Sequence, residues 1–528
     1  MSNGNLYLGF DFSTQQIKVL AIDDQLKVQY EFAVKFDVDL PEYKTQGGAH
    51  ISSDKSTVTT PTIMWVQAFD MVLDKMKNSD FPFSNVAGIS GSGQQHGSVY
   101  WKRGAKETLQ NLNPSMTLKE QLKNCFSIGD SPIWMDSSTR KQCDDLEKAV
   151  GGTQKLSDIT GSIAFERFTG NQIAKIYQTK STEYTNTERI SLVSSFAASL
   201  LIGLYAPIDE SDGSGMNLMN IKTRDWSEEC LKACGKDLRE RLGSIVPSRT
   251  VVGKISRYYV DRYGFNIDCL ITAFTGDNPS SLAGIAPKQG DIILSLGTSD
   301  VLFLWITDPN PGLAGHIFVN PVDTKAYMAL LCFKNSSLTR ERICKEVADG
   351  SWSQFSNSLK STPMGNNGNI GIYFDVMEIQ PLAVGVYRYD DKGQQVPSFD
   401  KDVEIRAVLE SQIMARRNYS EMLGFNISSG TRVIATGGAS SNVEILQVIS
   451  DIFNCNVYVK DVVNSASLGA AIRAKQGCMG NKSKFDDIVK NIEEPVCVAK
   501  PTPGSDKIYN DMCKRYKRLE EEIAKNFV

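Results

Sequence analysis

The 528-residue chain carries a formal net charge of -4, with 41% hydrophobic and 22% charged residues, a balance that speaks against a general affinity for nucleic acid or anionic membranes. Its length favours two or more domains over a single core. No apolar run is long enough to span a bilayer, no secretory leader opens the chain and the eleven scattered cysteines contain no CxxC, so reduced thiols in the cytoplasm are expected.

Leu6, Leu8 and Phe10 alternate with other residues up to a polar interruption at Asp11, Ser13 and Thr14, and Ile17, Val19 and Ala21 resume the alternation after it. Two half-buried strands joined by a short turn are predicted, and Val28, Tyr30, Phe32 and Val34 add a third strand to the meander. Ile63, Val66, Phe69, Leu73 and Met76 then form a helical stripe, with Thr60 as the expected N-cap and Pro61 in the first helical position. The run 86–90 reads as a buried strand. Residues 290–305 repeat the opening pattern, one apolar run, the turn Gly297-Thr298-Ser299 and a second apolar run. Further strands are expected at 316–322, 326–333 and 432–436, and helices at 337–349, 443–453 and 511–525. The pattern predicts an α/β protein of two domains with one duplicated plan, strand tips facing across a cleft. The boundary is placed where PSSLAGIAPKQG gathers proline, glycine and serine, dividing the chain into 1–282 and 283–528.

A phosphate requires backbone N–H donors, hydroxyls and small residues that permit close approach. Ser13 and Thr14 supply these in the first turn and Gly297, Thr298 and Ser299 in the second, with Lys18 near enough in sequence to add a charge. Asp11 is placed to hold Mg²⁺, because a hard cation on phosphates takes only one or two protein carboxylates. A polar hairpin explains either turn singly, whereas matching turns in both halves favour phosphate. The chain has no GxxxxGK[ST], and GISGSGQQHG lacks the third glycine of a dinucleotide fingerprint because His96 stands there. The loop ATGGASSN passes from strand to helix through Gly437 and Gly438, with Asn442 at the helix start; it suits an adenine or ribose lying on the backbone, and equally an ordinary βα connection. Asp277, beside Asn278 after the apolar run 270–274, suits a base that takes the proton of an attacking hydroxyl, or a cap on the next helix. His50, His96 and His316 stand in separate contexts and suggest no zinc site.

With these loops the chain resembles the FGGY carbohydrate kinases, which have two actin-like (ribonuclease-H-like) domains and phosphorylate sugars from ATP. The likeness covers nearly the whole length, through DFST at 11–14, GQQHG at 93–97, PIWMDSST at 132–139, GDN at 276–278, LGTS at 296–299 and ATGGASSN at 435–442. Within the family, the QQHG element is most similar to the xylulose-kinase branch. Carried over position by position, the resemblance implies Asp277 as general base, Asp11 as the magnesium-side aspartate, and His96, Arg167, Asp277 and Asn278 as sugar contacts. It implies Trp352, Gly438, Ala439 and Asn442 as adenosine-site elements, joined by Gly437. The implied partners are a small sugar, D-xylulose, and ATP with Mg²⁺, on a monomer or homodimer. Another sugar or polyol (ribulose, gluconate, glycerol) is the nearest alternative, and a non-catalytic sugar sensor the alternative from another class. Gln178 departs from the family pattern, which often has tryptophan three residues after the lysine found here at Lys175.

Overall fold

Alternation in the first thirty-odd residues becomes a meander in the computed structural model, which describes residues 4–428, 430–480 and 483–527. The chain forms two units, neither of them one continuous stretch. Unit 1 takes the chain up to Ala286 with Phe318–Lys325 and Val463–Ile492; unit 2 takes Pro287–Ile317, Ala326–Val462 and the chain from Glu493 onwards. The sequence suggests a single break between 282 and 283. The structure instead runs the helix Asp277–Ile285 through that point and returns a late segment to unit 1.

Unit 1 is built on β1 (Leu6–Phe12), β2 (Gln16–Ile22), β3 (Val28–Lys35), β4 (Val86–Gly93), β5 (Val251–Lys254), β6 (Leu270–Thr272) and β7 (Thr275–Gly276). Its sheet runs β5-β6-β4-β1-β2-β3, with β7 continuing alongside β4. The meander is antiparallel, while β4 pairs in parallel with both β1 and β6. One face of β1 presents Phe10 and Phe12 to Phe69 of the helix Thr62–Lys77, at centroid distances of 5.3 and 5.7 Å. The other face is pared down to glycine. A Cβ on Gly9 would stand 1.9 Å from Ser467 O, and one on Gly88 would stand 2.4 Å from Cys478 Sγ, so the helix Ser465–Met479 lies almost on the strands themselves. That close approach is the physical reason the late segment belongs to unit 1.

Thr60 does not cap a helix. Val58–Pro61 is a short strand, the helix begins at Thr62, and the Thr60 hydroxyl donates to Gly48 O at 2.9 Å. The residue before a proline is driven toward extended backbone, which places Thr60 and Pro61 in the strand.

Unit 2 is built on β8 (Asp291–Leu296), β9 (Asp300–Ile306), β10 (Tyr327–Phe333), β11 (Arg432–Thr436), β12 (Asn456–Val459) and β13 (Val496–Ala499), hydrogen-bonded in the order β10-β9-β8-β11-β12-β13. The pairings reproduce those of unit 1: β8–β9 and β9–β10 antiparallel, β8–β11 and β11–β12 parallel, β12–β13 antiparallel. The edge formed by β13 is reached differently from that formed by β5, since β5 precedes its neighbour in the chain and β13 follows it. The expected later helices are present as Ser337–Val347, Val443–Phe453 and Ser505–Ala524, and His316–Val319 is a strand. Among the described residues no helix is long and apolar enough to cross a membrane.

Candidate active site

The strand registers of unit 1 put Asp11 of β1 opposite Lys18 of β2 and Ser92 of β4. Asp11 accepts a 2.8 Å hydrogen bond from Ser92 Oγ. Burial raises its pKa above the ordinary carboxylate range, against the pull of the Ser92 and Ser13 hydroxyls and the Lys18 charge. The turn beside it is tight, with Ser13 donating from both N and Oγ to Gln16 O at 3.1 Å. Lys18 Nζ donates to Asn464 Oδ1, just ahead of the helix Ser465–Met479. Thr14 Oγ1 accepts a 2.9 Å bond from the indole of Trp134, whose ring is exposed.

The loop after β4 carries His96 in the left-handed region, at φ 69°, a conformation uncommon for a residue with a side chain. Its ring stacks on Phe168 with centroids 4.3 Å apart. Nδ1–H donates to Gly215 O at 2.8 Å, which leaves Nε2 as an acceptor. Burial, reinforced by the nearby Arg167 charge, pushes the His96 pKa down to about 3, so the imidazole is neutral. Arg167 lies over the Phe165 ring at 5.2 Å, and Thr169 Oγ1 donates to His96 O at 2.9 Å. Residues 165–169 are thus folded onto the GQQHG loop.

The strand β7 pairs Thr275 with Ser92 and Gly276 with Gly93, which delivers Asp277 to the start of the helix Asp277–Ile285. Gly276 occupies the N-cap, so the cap is not the role of Asp277. Asp277 Oδ1 accepts from Asn278 N at 2.8 Å and from Asn278 Nδ2 at 3.1 Å, and the same Nδ2 reaches Gln95 Oε1 at 2.8 Å. Burial first and the Asp11 charge second raise the Asp277 pKa to about 7, while backbone N–H groups of Asn278 and Gln95 pull the other way. A carboxylate that ionises near neutrality has the property a general base needs.

In unit 2 the turn between β8 and β9 carries Gly297, Thr298 and Ser299, with Thr298 exposed at its tip. Asp300 behind it is fully buried, paired with Arg340 at 3.1 Å and Arg416 at 3.0 Å. Gly437 has φ 84°, and a Cβ there would stand 2.7 Å from Leu296 O; at Gly438 a Cβ would meet nothing within 4 Å. The first glycine lets the loop lie against β8, and the second leaves the backbone open to a ligand. Gly438–Ser441, including Ala439, forms a single short turn of helix. Asn442 caps the helix Val443–Phe453 by accepting from Glu444 N and Ile445 N at 3.1 and 3.2 Å, and its amide donates to Ser356 Oγ at 3.0 Å. That bond ties the loop to the helix Trp352–Ser361, which starts with a half-exposed Trp352 against Phe355.

The structure brings Asp11, Lys18, His96, Arg167, Asp277 and Asn278 together in unit 1, and Trp352 with the Gly437–Asn442 loop in unit 2. Spacing alone does not reveal Ser92 or Trp134 as partners of the first turn: the first needs the β1–β4 register and the second a contact spanning 120 residues. Asp11 is a buried carboxylate with the Ser92 and Ser13 hydroxyls beside it, and this hard oxygen donor set suits a divalent cation that takes its other ligands from phosphate and water. Among the described residues no group of three or more His, Cys, Asp or Glu side chains could hold a metal unaided.

Residues 6–284 match the model of the FGGY family of carbohydrate kinases, N-terminal domain, and residues 292–476 match its C-terminal domain. The chain is 57% identical over 517 residues to the xylulose kinase of Rattus norvegicus, covering 98% of this chain and 96% of the relative. It is 48% identical over 504 residues to xylulose kinase 2 of Arabidopsis thaliana, covering 93% and 90%. The fold matches the crystal structure of ligand-bound xylulose kinase from Lactobacillus acidophilus with a TM-score of 0.78 over 98% of each chain, at 18% identity. With both domain models matched in order and relatives this similar along almost the full length, the chain belongs to the FGGY family of carbohydrate kinases.

Proposed function

We propose that the protein transfers the γ-phosphoryl group of ATP to the C5 hydroxyl of D-xylulose in its linear keto form, giving D-xylulose 5-phosphate and ADP. The observation that carries this reading is Asp277, a carboxylate raised to a pKa of about 7 and held by Asn278 beside the neutral-histidine loop. The names of the similar proteins support the choice of sugar.

The sugar is held by Nε2 of His96 and the side-chain oxygen of Asn278 as acceptors and by the Arg167 guanidinium as donor. Asp277 takes the proton as the hydroxyl oxygen bonds to phosphorus and the bond to the ADP oxygen breaks. The turns Ser13-Thr14 and Gly297-Thr298 offer N–H and hydroxyl donors to phosphate oxygens, and Lys18 adds positive charge. Gly438, Ala439 and Trp352 accommodate the adenosine. Mg²⁺ held by Asp11, directly or through water, would offset charge on the phosphates when bound.

The test is ADP release with MgATP and each of D-xylulose, L-xylulose, D-ribulose, L-ribulose, D-gluconate and glycerol, beside a sugar-free control. Release confined to D-xylulose is expected; release with another sugar alone would move the substrate assignment, and none with any sugar would favour a sensor. Asp277→Asn is expected to lower kcat by about a hundredfold or more with ATP binding retained, and near-normal turnover would remove the base assignment.

A further inference from the structure

Asp212 lies far in sequence from the loops described above. It sits in the short helix Glu210–Gly213 and is only 2% exposed. Asp209 fixes its backbone by accepting Asp212 N at 3.1 Å and Ser211 N at 3.3 Å. One oxygen, Oδ2, receives the Ser194 hydroxyl at 2.5 Å. The other oxygen, Oδ1, is buried without a hydrogen-bond partner, and so is Nε2 of Gln95.

Gly276, the residue before the base, is what leaves room for these two atoms beside it. A Cβ there would stand 2.5 Å from Gln95 Cγ, 2.8 Å from Asp212 Oδ1 and 2.9 Å from Gln95 Nε2. The donor and the acceptor therefore converge over a bare Cα. Polarity fixes the direction of the amide. Asn278 Nδ2 donates to Gln95 Oε1 at 2.8 Å, so the unpartnered Gln95 N–H₂ is the end of the amide left for the unpartnered Asp212 Oδ1. The same Asn278 amide donates to Asp277 Oδ1 at 3.1 Å.

We infer that Asp212 is a positioning residue of this kinase, orienting Gln95 and, through Asn278, the carboxylate of Asp277. The inference rests on the reading of Asp277 as the base. Burial and the neighbouring Asp209 raise the Asp212 pKa well above the carboxylate range. A proton on Oδ2, with the Ser194 hydroxyl turned from donor to acceptor, leaves Oδ1 free to accept from Gln95, and asparagine offers the same arrangement with its N–H₂ on the Ser194 side. Alanine removes the acceptor that lies beside the buried Gln95 N–H₂.

The test is steady-state kinetics with ATP and D-xylulose on Asp212→Ala, Asp212→Asn, Gln95→Met and the double variant Asp212→Ala/Gln95→Met, with thermal melting of each. Asp212→Ala should lower kcat by about tenfold to a hundredfold with the KM for ATP within about twofold, and Asp212→Asn should recover kcat to within about threefold of the parent. Because the two residues act in series, the double variant should be no slower than the slower single one. Parental kcat in Asp212→Ala, an Asp212→Asn enzyme as slow as the alanine variant, or losses that multiply would each overturn the inference. If Asp212→Ala does not fold, Gln95→Glu takes its place by setting an acceptor against Asp212; adding Asp212→Asn must then restore about tenfold in kcat, and no recovery counts against the inference. An Asp277→Ala enzyme with undiminished kcat overturns the base and this inference together. A dead Asp277→Ala beside an unimpaired Asp212→Ala overturns this inference alone.

Discussion

Two ionisable side chains at the proposed sugar site of unit 1 are displaced in opposite senses by the same cause. Burial disfavours charge, which raises the Asp277 pKa to about 7 and lowers that of His96 to about 3. As the proposed base, Asp277 must be ionised to accept a proton, so kcat/KM for the sugar should rise about tenfold per pH unit below about 7 and level off above it. His96 stays neutral throughout that range and should add no inflection of its own; initial rates from pH 5 to 9 check both statements, and an inflection that vanishes in a His96 variant would contradict the second. Asp11 contributes to raising the Asp277 pKa, so removing its charge by Asp11→Asn should move the residual profile to lower pH.

At the level of elements, the two units place functional loops at equivalent points of one plan. The turn after the first strand carries Ser13-Thr14 in unit 1 and Gly297-Thr298 in unit 2, and the loop after the parallel partner strand carries His96 in one and Gly437 in the other. Each latter residue adopts positive φ, 69° at His96 and 84° at Gly437. Gly437 has no room for a side chain against Leu296 O, so Gly437→Ala should cost about 1–3 kcal/mol of stability and raise the KM for ATP while leaving that for the sugar unchanged. Melting and two-substrate kinetics on that variant would check it. The hairpins and the helices after them were legible because alternation and helical stripes are local, as Leu6 to Ala21 and Ile63 to Met76 illustrate. The partner of Asp11 was not, because Ser92 becomes its neighbour only through the register of β1 on β4. Thr60 failed as a cap for a local reason instead, the constraint that Pro61 places on the residue before it.

Across the whole chain, the duplicated plan could be read from repeated patterns, but the route of the chain between units could not. Nothing local in the segment 463–492 announces that its helix covers the sheet begun at Leu6. The glycines that receive it, Gly9, Gly88 and Gly284, look permissive in sequence and prove restrictive in structure, since each would drive a Cβ into the helix Ser465–Met479 or the residues leading into it. A chain ending at Ala286 should therefore leave Tyr7, Ile22 and Ala283 uncovered and aggregate, and supplying 463–492 as a separate segment should restore solubility and cooperative melting. Soluble, cooperatively melting protein from residues 1–286 alone would contradict this.

The same return of the chain sets an order of events during synthesis. Leu6 to Phe12 leave the ribosome long before the helix that closes over them, which is made only after most of unit 2 has been translated. A chain halted part-way thus lacks the cover for the sheet that supports Asp11, and Asp277 lacks the helix packed against its own. On the proposed placement of the sugar in unit 1, interrupted translation should leave no stray sugar-binding half to compete with the finished kinase for its substrate.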